Sequence, residues 1–389
     1  MVNEILSTIE FQMSLLLFVS LLGYILASRI NQSAVIGEIL VGLVIGPSIL
    51  GLITYTDFVR SIAQLGAIIL LFVVGLEFKF EEIYKIKNFL IGLVGVIVPW
   101  IGGYLTASYF GFSSISSVFV GTALTATSIA ITASVLKEMN MLNTAAAKAI
   151  IGAAVIDDIL GLLALAFTNQ IAGGSIEYSS IILILIKAVL FLVIGSLLGK
   201  YFFNKKIVDF DTTNLAKKYP KMSFIFAIMI AFLYSMTAEL IGLSAIVGAF
   251  IAGVSMGHVK LKHSKDFIEG SDYLHIIFAS IFFVSLGIIA DLHALNTKVI
   301  TFLLILTAVA VLTKVIGCGL TSRLFKFNNK DSAIIGFGMS PRGEVAMIVA
   351  LIGLTKGMIN QDIYVTLVLM SLLTTIITPI VLRKWLLDK

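Results

Sequence analysis

The stretch "GAAVIDDILGLLALA", residues 152–166, sets two adjacent carboxylates, Asp157 and Asp158, inside an apolar run. Acids in such a place are costly and call for a partner charge or a chemical task. Two ionised carboxylates at one site repel each other. A proton relieves that repulsion, and so does a monovalent cation such as Na⁺ held by carboxylate, hydroxyl and backbone oxygens. Occupancy by one excludes the other. If only a loaded site crosses the barrier, the outcome is obligatory exchange of cation for proton, with titrations that belong to the group and not to one acid. Neighbouring residues on a helix point about 100° apart. Either acid can therefore face a cavity while the other faces a partner helix. The best-placed counter-charge is Lys314 in "AVLTKVIGCG". It lies about 13 Å along a helix from Arg323, a depth similar to that of Asp157. An Asp157–Lys314 pair, made and broken at little net cost, suits a switch.

The elements that hold these residues follow from composition. The chain has 389 residues, 59% hydrophobic and only 13% charged, with a mean hydropathy of +1.08. A soluble domain carries about 25% charged residues, so too few polar groups are present to cover a watery surface. Apolar stretches of roughly 20 residues recur throughout, as in spanning helices. The segments of about ten residues with period two that mark a membrane β-barrel do not occur. The fold class expected is an all-α polytopic membrane protein with thirteen transmembrane helices: 10–28, 34–53, 61–78, 88–108, 114–136, 146–168, 179–203, 222–238, 241–257, 271–290, 299–320, 332–355 and 362–382. The lone cysteine, Cys318, excludes an internal disulfide and reads as a small packed side chain. The acidic start "MVNEILSTIE" does not read as a cleaved signal peptide.

An odd number of spans puts the termini on opposite sides. Of the 27 Lys and Arg residues, only Arg60, Lys298 and Lys356 fall in connectors on the N-terminal side. Lys187, Lys314 and Arg342 fall within spans, and the rest lie on the other side, so the N terminus is expected outside and the C terminus in the cytoplasm. The basic connector "NKKIVDFDTTNLAKKYPKM" is the longest and divides the chain into 10–168 and 222–382, joined by a linker helix at 179–203. The net charge of +5 therefore reports sidedness and carries no case for nucleic acid.

Two spans are interrupted. Span five carries "GTALTATSIAITAS", with polar and β-branched Thr127 and Ser128 at its centre. Span twelve carries "GFGMSPRGEVAMIVA", where Gly338, Pro341 and Gly343 surround Arg342 and Glu344. Proline removes a helical donor and clashes with the preceding turn. Unwound backbone in a bilayer must face protein or a wet cavity, and half-helix ends there can hold ions. Each break is fifth in its block of six spans, and the blocks enter from opposite sides. That is an inverted repeat, resting on the positions of the breaks alone. Arg342 and Glu344 are expected to balance the half-helix dipoles, with Glu77 a possible partner of Arg342. Glu38 reads either as lining a cytoplasmic funnel or as interfacial. Glu239 and all four histidines, including His258 and His263, read as lying near membrane ends.

The segments "TATSIAIT", "VIDDILG", "LTKVIG" and "GMSPRGEVAMIVA", together with "GEILVGLVIGPSILG" and "LFVVGLEF", resemble the cation:proton antiporter-2 family, most closely its NapA-like Na⁺/H⁺ antiporters. The resemblance covers nearly the whole transmembrane body. It implies an NhaA/NapA-like fold with two discontinuous crossing helices, spans 5 and 12, and a homodimer. A core domain would be formed by 88–168 and 299–382. It further implies that Asp158 is the main ion-binding acid, assisted by Thr127 and Ser128, and that Asp157 bridges to Lys314 when sodium is absent. The function implied is elevator-type exchange of cytoplasmic Na⁺, and Li⁺, for external protons, electrogenic at two H⁺ per Na⁺. No cofactor beyond the transported ions is expected. Some relatives carry nucleotide-binding domains and move K⁺; no Rossmann fingerprint occurs in this sequence. A K⁺/H⁺ antiporter on the same frame is the alternative. A passive channel would not need exchange chemistry, and a membrane scaffold would not need charges in the bilayer.

Overall fold

The computed structural model describes residues 8–79, 85–172, 178–219, 221–257, 267–290, 292–293 and 295–387. His258 and His263 lie outside the described residues. Regular structure among the described residues is helical: α1 (Ile9–Arg29), α2 (Ala34–Ile45), α3 (Asp57–Leu76), α4 (Ile86–Tyr109), α5 (Ser114–Thr125), α6 (Ile129–Glu138), α7 (Ala145–Ala172), α8 (Tyr178–Leu197) with a π-helical turn at Leu198–Phe203, α9 (Asn204–Asp211), α10 (Asn214–Lys218), α11 (Lys221–Leu240), α12 (Ala245–Met256), α13 (Phe267–Ile289), α14 (Thr297–Leu324), α15 (Asn329–Gly338), α16 (Glu344–Thr355) and α17 (Gln361–Leu387). Helices satisfy their own backbone polar groups, which lipid cannot do. Nine helical segments among the described residues are long and apolar enough to cross a membrane, and four shorter apolar helices, Ala34–Ile45, Ala245–Met256, Tyr273–Ile289 and Val345–Thr355, accompany them. The outer shell is apolar as well: Ile182, Leu183, Leu185 and Ile186 of α8 are all exposed, as expected of a surface solvated by acyl chains.

Local chemistry sets the helix ends. Thr56 accepts a bond from Val59 N, and Asn296 accepts one from Val299 N, each capping a first turn. The second span is shorter as a helix than the expected 34–53. It stops at Ile45, because Gly46 precedes Pro47 and takes an extended ψ of −175°. The separation of α11 from α12 rests on Gly242, whose φ of +91° only glycine adopts freely.

The helices pack in two groups that interleave along the chain. In one, α1 packs on α2, α2 on α13, α13 on α3, α3 on α12 and α12 on α11. In the other, α4 packs on α5, α7 and α14, α14 on α15 and α17, and α16 on α5 and α17. Small residues permit close crossing in the first group. A Cβ at Gly253 would stand 2.1 Å from Phe72 O, and one at Gly75 would stand 2.4 Å from Phe250 O, so the α3–α12 crossing admits no larger residue at either position. Contacts between the groups are sparser and include α2 with α6 and α17. At one of them Glu138, the last residue of α6, accepts a 2.5 Å bond from Ser33 Oγ and a 3.2 Å bond from Ala34 N at the start of α2. Arg383 of α17 lies 3.5 Å from the same carboxylate. Glu38 is buried on α2 beside Ser280 of α13. Glu239 is exposed near the end of α11.

Candidate ion-binding site

Both interrupted spans break where their sequences break. Ala126–Ser128 separate α5 from α6, and Met339–Gly343 separate α15 from α16. The two breaks are bonded to each other. Ser128 N donates to Pro341 O at 2.8 Å. Thr127 Oγ1 donates to Met339 O at 3.2 Å, and Thr132 Oγ1 donates to Gly338 O at 2.6 Å. Carbonyls freed by unwinding therefore find donors on the opposite helix. Gly343 leaves space for this arrangement, since a Cβ there would lie 2.7 Å from Ser128 Oγ.

Arg342 is fully buried at the junction. Its Nη1 donates to Ala126 O at 2.6 Å and its Nη2 to Ala310 O at 3.3 Å. Ala126 is the C-cap of α5, so the guanidinium neutralises the negative end of a half-helix dipole. Thr374 Oγ1 accepts from Arg342 N, and Thr375 Oγ1 donates to Arg342 O. The pairing with Glu77 does not form: Glu77 is exposed at the end of α3, and the guanidinium is committed to carbonyls. Glu344 opens α16, and its side chain lies outside the described residues.

α7 brings the two acids to this junction. Asp157 is fully buried, and its Oδ1 accepts a 2.6 Å bond from Lys314 Nζ on α14, a side chain equally buried. Asp157 Oδ2 is buried without a hydrogen-bond partner among the described residues. Asp158 is partly exposed and turned to a different neighbourhood. It lines a small cavity with Thr127, Ser128, Gly343, Ser244 and Phe282. The space is about 20 Å³, enough for about one water-sized occupant. The cavity lies between the two helix groups: Ser244 caps α12 and Phe282 belongs to α13. A carboxylate and hydroxyls around so small a space can take a dehydrated monovalent cation or a proton, one at a time.

Several residues around the site have no catalytic type to mark them. Gly95 on α4 is the clearest. A Cβ at Gly95 would stand 2.7 Å from Cys318 Sγ, 3.5 Å from Lys314 Nζ and 3.8 Å from Asp157 Oδ1. Gly95 thus keeps the space in which the ion pair forms. The signal available in sequence is the spacing of Gly92 and Gly95, which places small residues on one helix face. We expect Gly95→Ala to lower stability by about 1–3 kcal/mol, as overpacking does. Adding Cys318→Ala should recover most of the loss, because it removes the sulfur that the new methyl meets. Melting temperatures of the two single variants and the double variant check this; equal losses for Gly95→Ala with and without Cys318 would refute the steric account.

A polytopic helical protein in which two broken helices meet beside a buried acid–lysine pair and a second, partly buried acid has the architecture of a secondary transporter. The chain belongs to the family described as "Sodium/hydrogen exchanger, transmembrane", whose model matches residues 16–388. Members of this family are transporters and not enzymes. The chain is 35% identical over 376 residues to the Na⁺/H⁺-K⁺ antiporter GerN of Bacillus cereus, covering 96% of this chain and 95% of that protein. It is 33% identical to the Na⁺/H⁺ antiporter of Enterococcus hirae, covering 95% and 96% respectively. Among solved structures, it shares the fold of the sodium proton antiporter MjNhaP1 of Methanocaldococcus jannaschii, at a TM-score of 0.71, 18% identity and 96% coverage of each chain.

Proposed function

We propose that this chain is a secondary antiporter that exchanges cytoplasmic Na⁺, and Li⁺, for external protons. The observation that carries the reading is the placement of Asp157 and Asp158 at the joined helix breaks, with Lys314 Nζ 2.6 Å from Asp157 Oδ1. Asp158 holds the transported ion with Thr127 and Ser128. Asp157 exchanges between Lys314 and the site. Loading of the site by cation frees protons, and proton return resets the pair. When Na⁺ draws Asp157 away from Lys314, the lysine gives up one proton and Asp158 the other, a ratio of two H⁺ per Na⁺ and hence electrogenic exchange.

The same proposal extends to architecture. The four short apolar helices complete thirteen spans, with the N terminus outside and the C terminus cytoplasmic. Segments 10–168 and 222–382 are inverted repeats around the 179–203 linker, and 88–168 with 299–382 form a core domain. Sparse contact between the helix groups, with the candidate cavity between them, supports movement of the core against the rest as an elevator in a homodimer. The paired aspartates and the "SPRGE" segment support the NapA-like branch of the cation:proton antiporter-2 family.

Dye-reported ΔpH in proteoliposomes, measured across Li⁺, Na⁺ and K⁺ with the voltage clamped, tests exchange, selectivity and electrogenicity together. Absence of cation-dependent proton movement would end the proposal. K⁺/H⁺ exchange is the second reading, favoured by similarity to a relative named for both Na⁺ and K⁺; a preference for K⁺ in the same assay would select it. Competition also sets the pH dependence. Protons occupy the carboxylates as pH falls, so at subsaturating Na⁺ the rate should rise toward alkaline pH, and the apparent KM for Na⁺ should fall. A flat rate profile from acidic to alkaline pH would count against a shared site.

A further inference from the structure

Of the three basic residues that fall within spans, Lys314 and Arg342 are buried at the ion site. Lys187 on α8 is exposed, and it makes no hydrogen bond or ion pair with the described residues. A charge at membrane depth calls for a partner. α8 carries no acid, and the one acid of α11, Glu239, stands two residues past Thr237, about 200° round the helix from it. Lys187 also lies at one end of an apolar groove of about 410 Å³, within the roughly 300–1,000 Å³ of ligand clefts. Leu190, Ile194 and Leu198 continue the groove along α8, and Leu233 and Thr237 line it from α11. Its floor is Tyr234, whose hydroxyl donates to Gly195 O at 2.7 Å and whose ring meets Phe191 edge-on. At the far end the π-helical turn Leu198–Phe203 sets Phe203 against the same ring. Such turns inside a helix are frequent at functional sites.

We propose that this groove holds an acyl chain of an acidic phospholipid whose phosphate pairs with Lys187. The shape is that of an amphiphile: one cation at the mouth and an apolar length behind it. Helical side chains lean toward the start of their helix, so the ammonium is directed to the Tyr178 end, where headgroups lie, and the groove runs from it into the bilayer. From Lys187 to Leu198 the helix rises about 16 Å, close to the hydrocarbon depth of one leaflet, about 15 Å. Lysine meets phosphate as a flexible point charge, and a lipid of net negative charge compensates it where a zwitterionic one does not. α8 packs on α7 of one helix group and on α12 of the other, so the lipid sits on the helix that bridges the two. The assignment rests on the membrane span alone and does not depend on which cation is exchanged.

The test uses the full chain in phosphatidylcholine nanodiscs doped with a photoreactive lipid that carries a diazirine in its acyl chain. One arm uses the phosphatidylglycerol form and the other the phosphatidylcholine form, and labelled residues are mapped by peptide mass spectrometry. Groove residues of α8 and α11 should be labelled about five-fold more by the acidic lipid, the factor expected of one lysine facing an anionic surface. Leu304 and Leu312, exposed on α14, should be labelled equally by both and serve as the internal control. Lys187→Gln should bring groove labelling by the acidic lipid down to that of phosphatidylcholine, and Lys187→Arg should keep the excess; Lys187 is exposed, so both variants should fold. Equal labelling of the groove by the two lipids would leave Lys187 as a lysine that only reaches for the interface and would overturn the proposal. So would an excess that survives Lys187→Gln. A groove labelled by neither lipid, as when a second copy of the chain covers it, would overturn it too.

Discussion

Replacing Asp158 by Asn should reduce cation-dependent proton movement in proteoliposomes to the level of protein-free vesicles. Asn keeps the volume of the side chain and removes the charge and the exchangeable proton. Asp158 is only partly buried and lines the cavity with Thr127 and Ser128, so its neutral replacement should preserve the fold. The melting temperature should stay within a few degrees of the parent, while added Na⁺ no longer raises it. That combination separates loss of the ion site from loss of structure. Normal Na⁺-driven exchange by Asp158→Asn would remove the acid from the transport site.

The second large effect is expected at Lys314, and it is chiefly one of stability. Lys314→Ala leaves Asp157 buried without its 2.6 Å partner. Breaking a buried ion pair from one side costs roughly 3–5 kcal/mol, because a charge is left uncompensated. The variant should therefore melt well below the parent at neutral pH. Pairing Lys314→Ala with Asp157→Asn should recover much of that loss, since no uncompensated charge then remains. Lys314→Gln should also shift the pH profile of exchange, because the carboxylate loses the cation that competes with protons. A lysine that merely reached for the membrane surface would leave both melting and pH profile unchanged in Lys314→Gln. Its complete burial beside Asp157 argues against that alternative.

How far these effects were legible in sequence differs by residue. The acid pair announces itself, because adjacent aspartates in an apolar run contradict their surroundings. The breaks do so too, through "TATS" and "GMSPRGE", since threonine, glycine and proline at those positions weaken a helix locally. Lys314 could be proposed as a partner from depth alone. The commitment of Arg342 to Ala126 O and Ala310 O could not, because a carbonyl freed by unwinding carries no sequence signature. Nor could the burial of Glu38 or the contact of Glu138 with Ser33 and Ala34; each depends on which helices become neighbours across long intervals of chain.

Composition and periodicity were enough to establish a helical membrane protein, to locate two unwound segments and to single out the adjacent pair of acids. These are local properties: hydropathy acts over about twenty residues, and helix-breaking acts over one turn. Packing settled the remainder. It joined Ser128 to Pro341, turned Asp157 to Lys314 while Asp158 faced a cavity, and made Gly95 the space for the ion pair. Such relations are steric and pairwise across distant segments, so they exist only once the helices have taken their crossing angles and rotations.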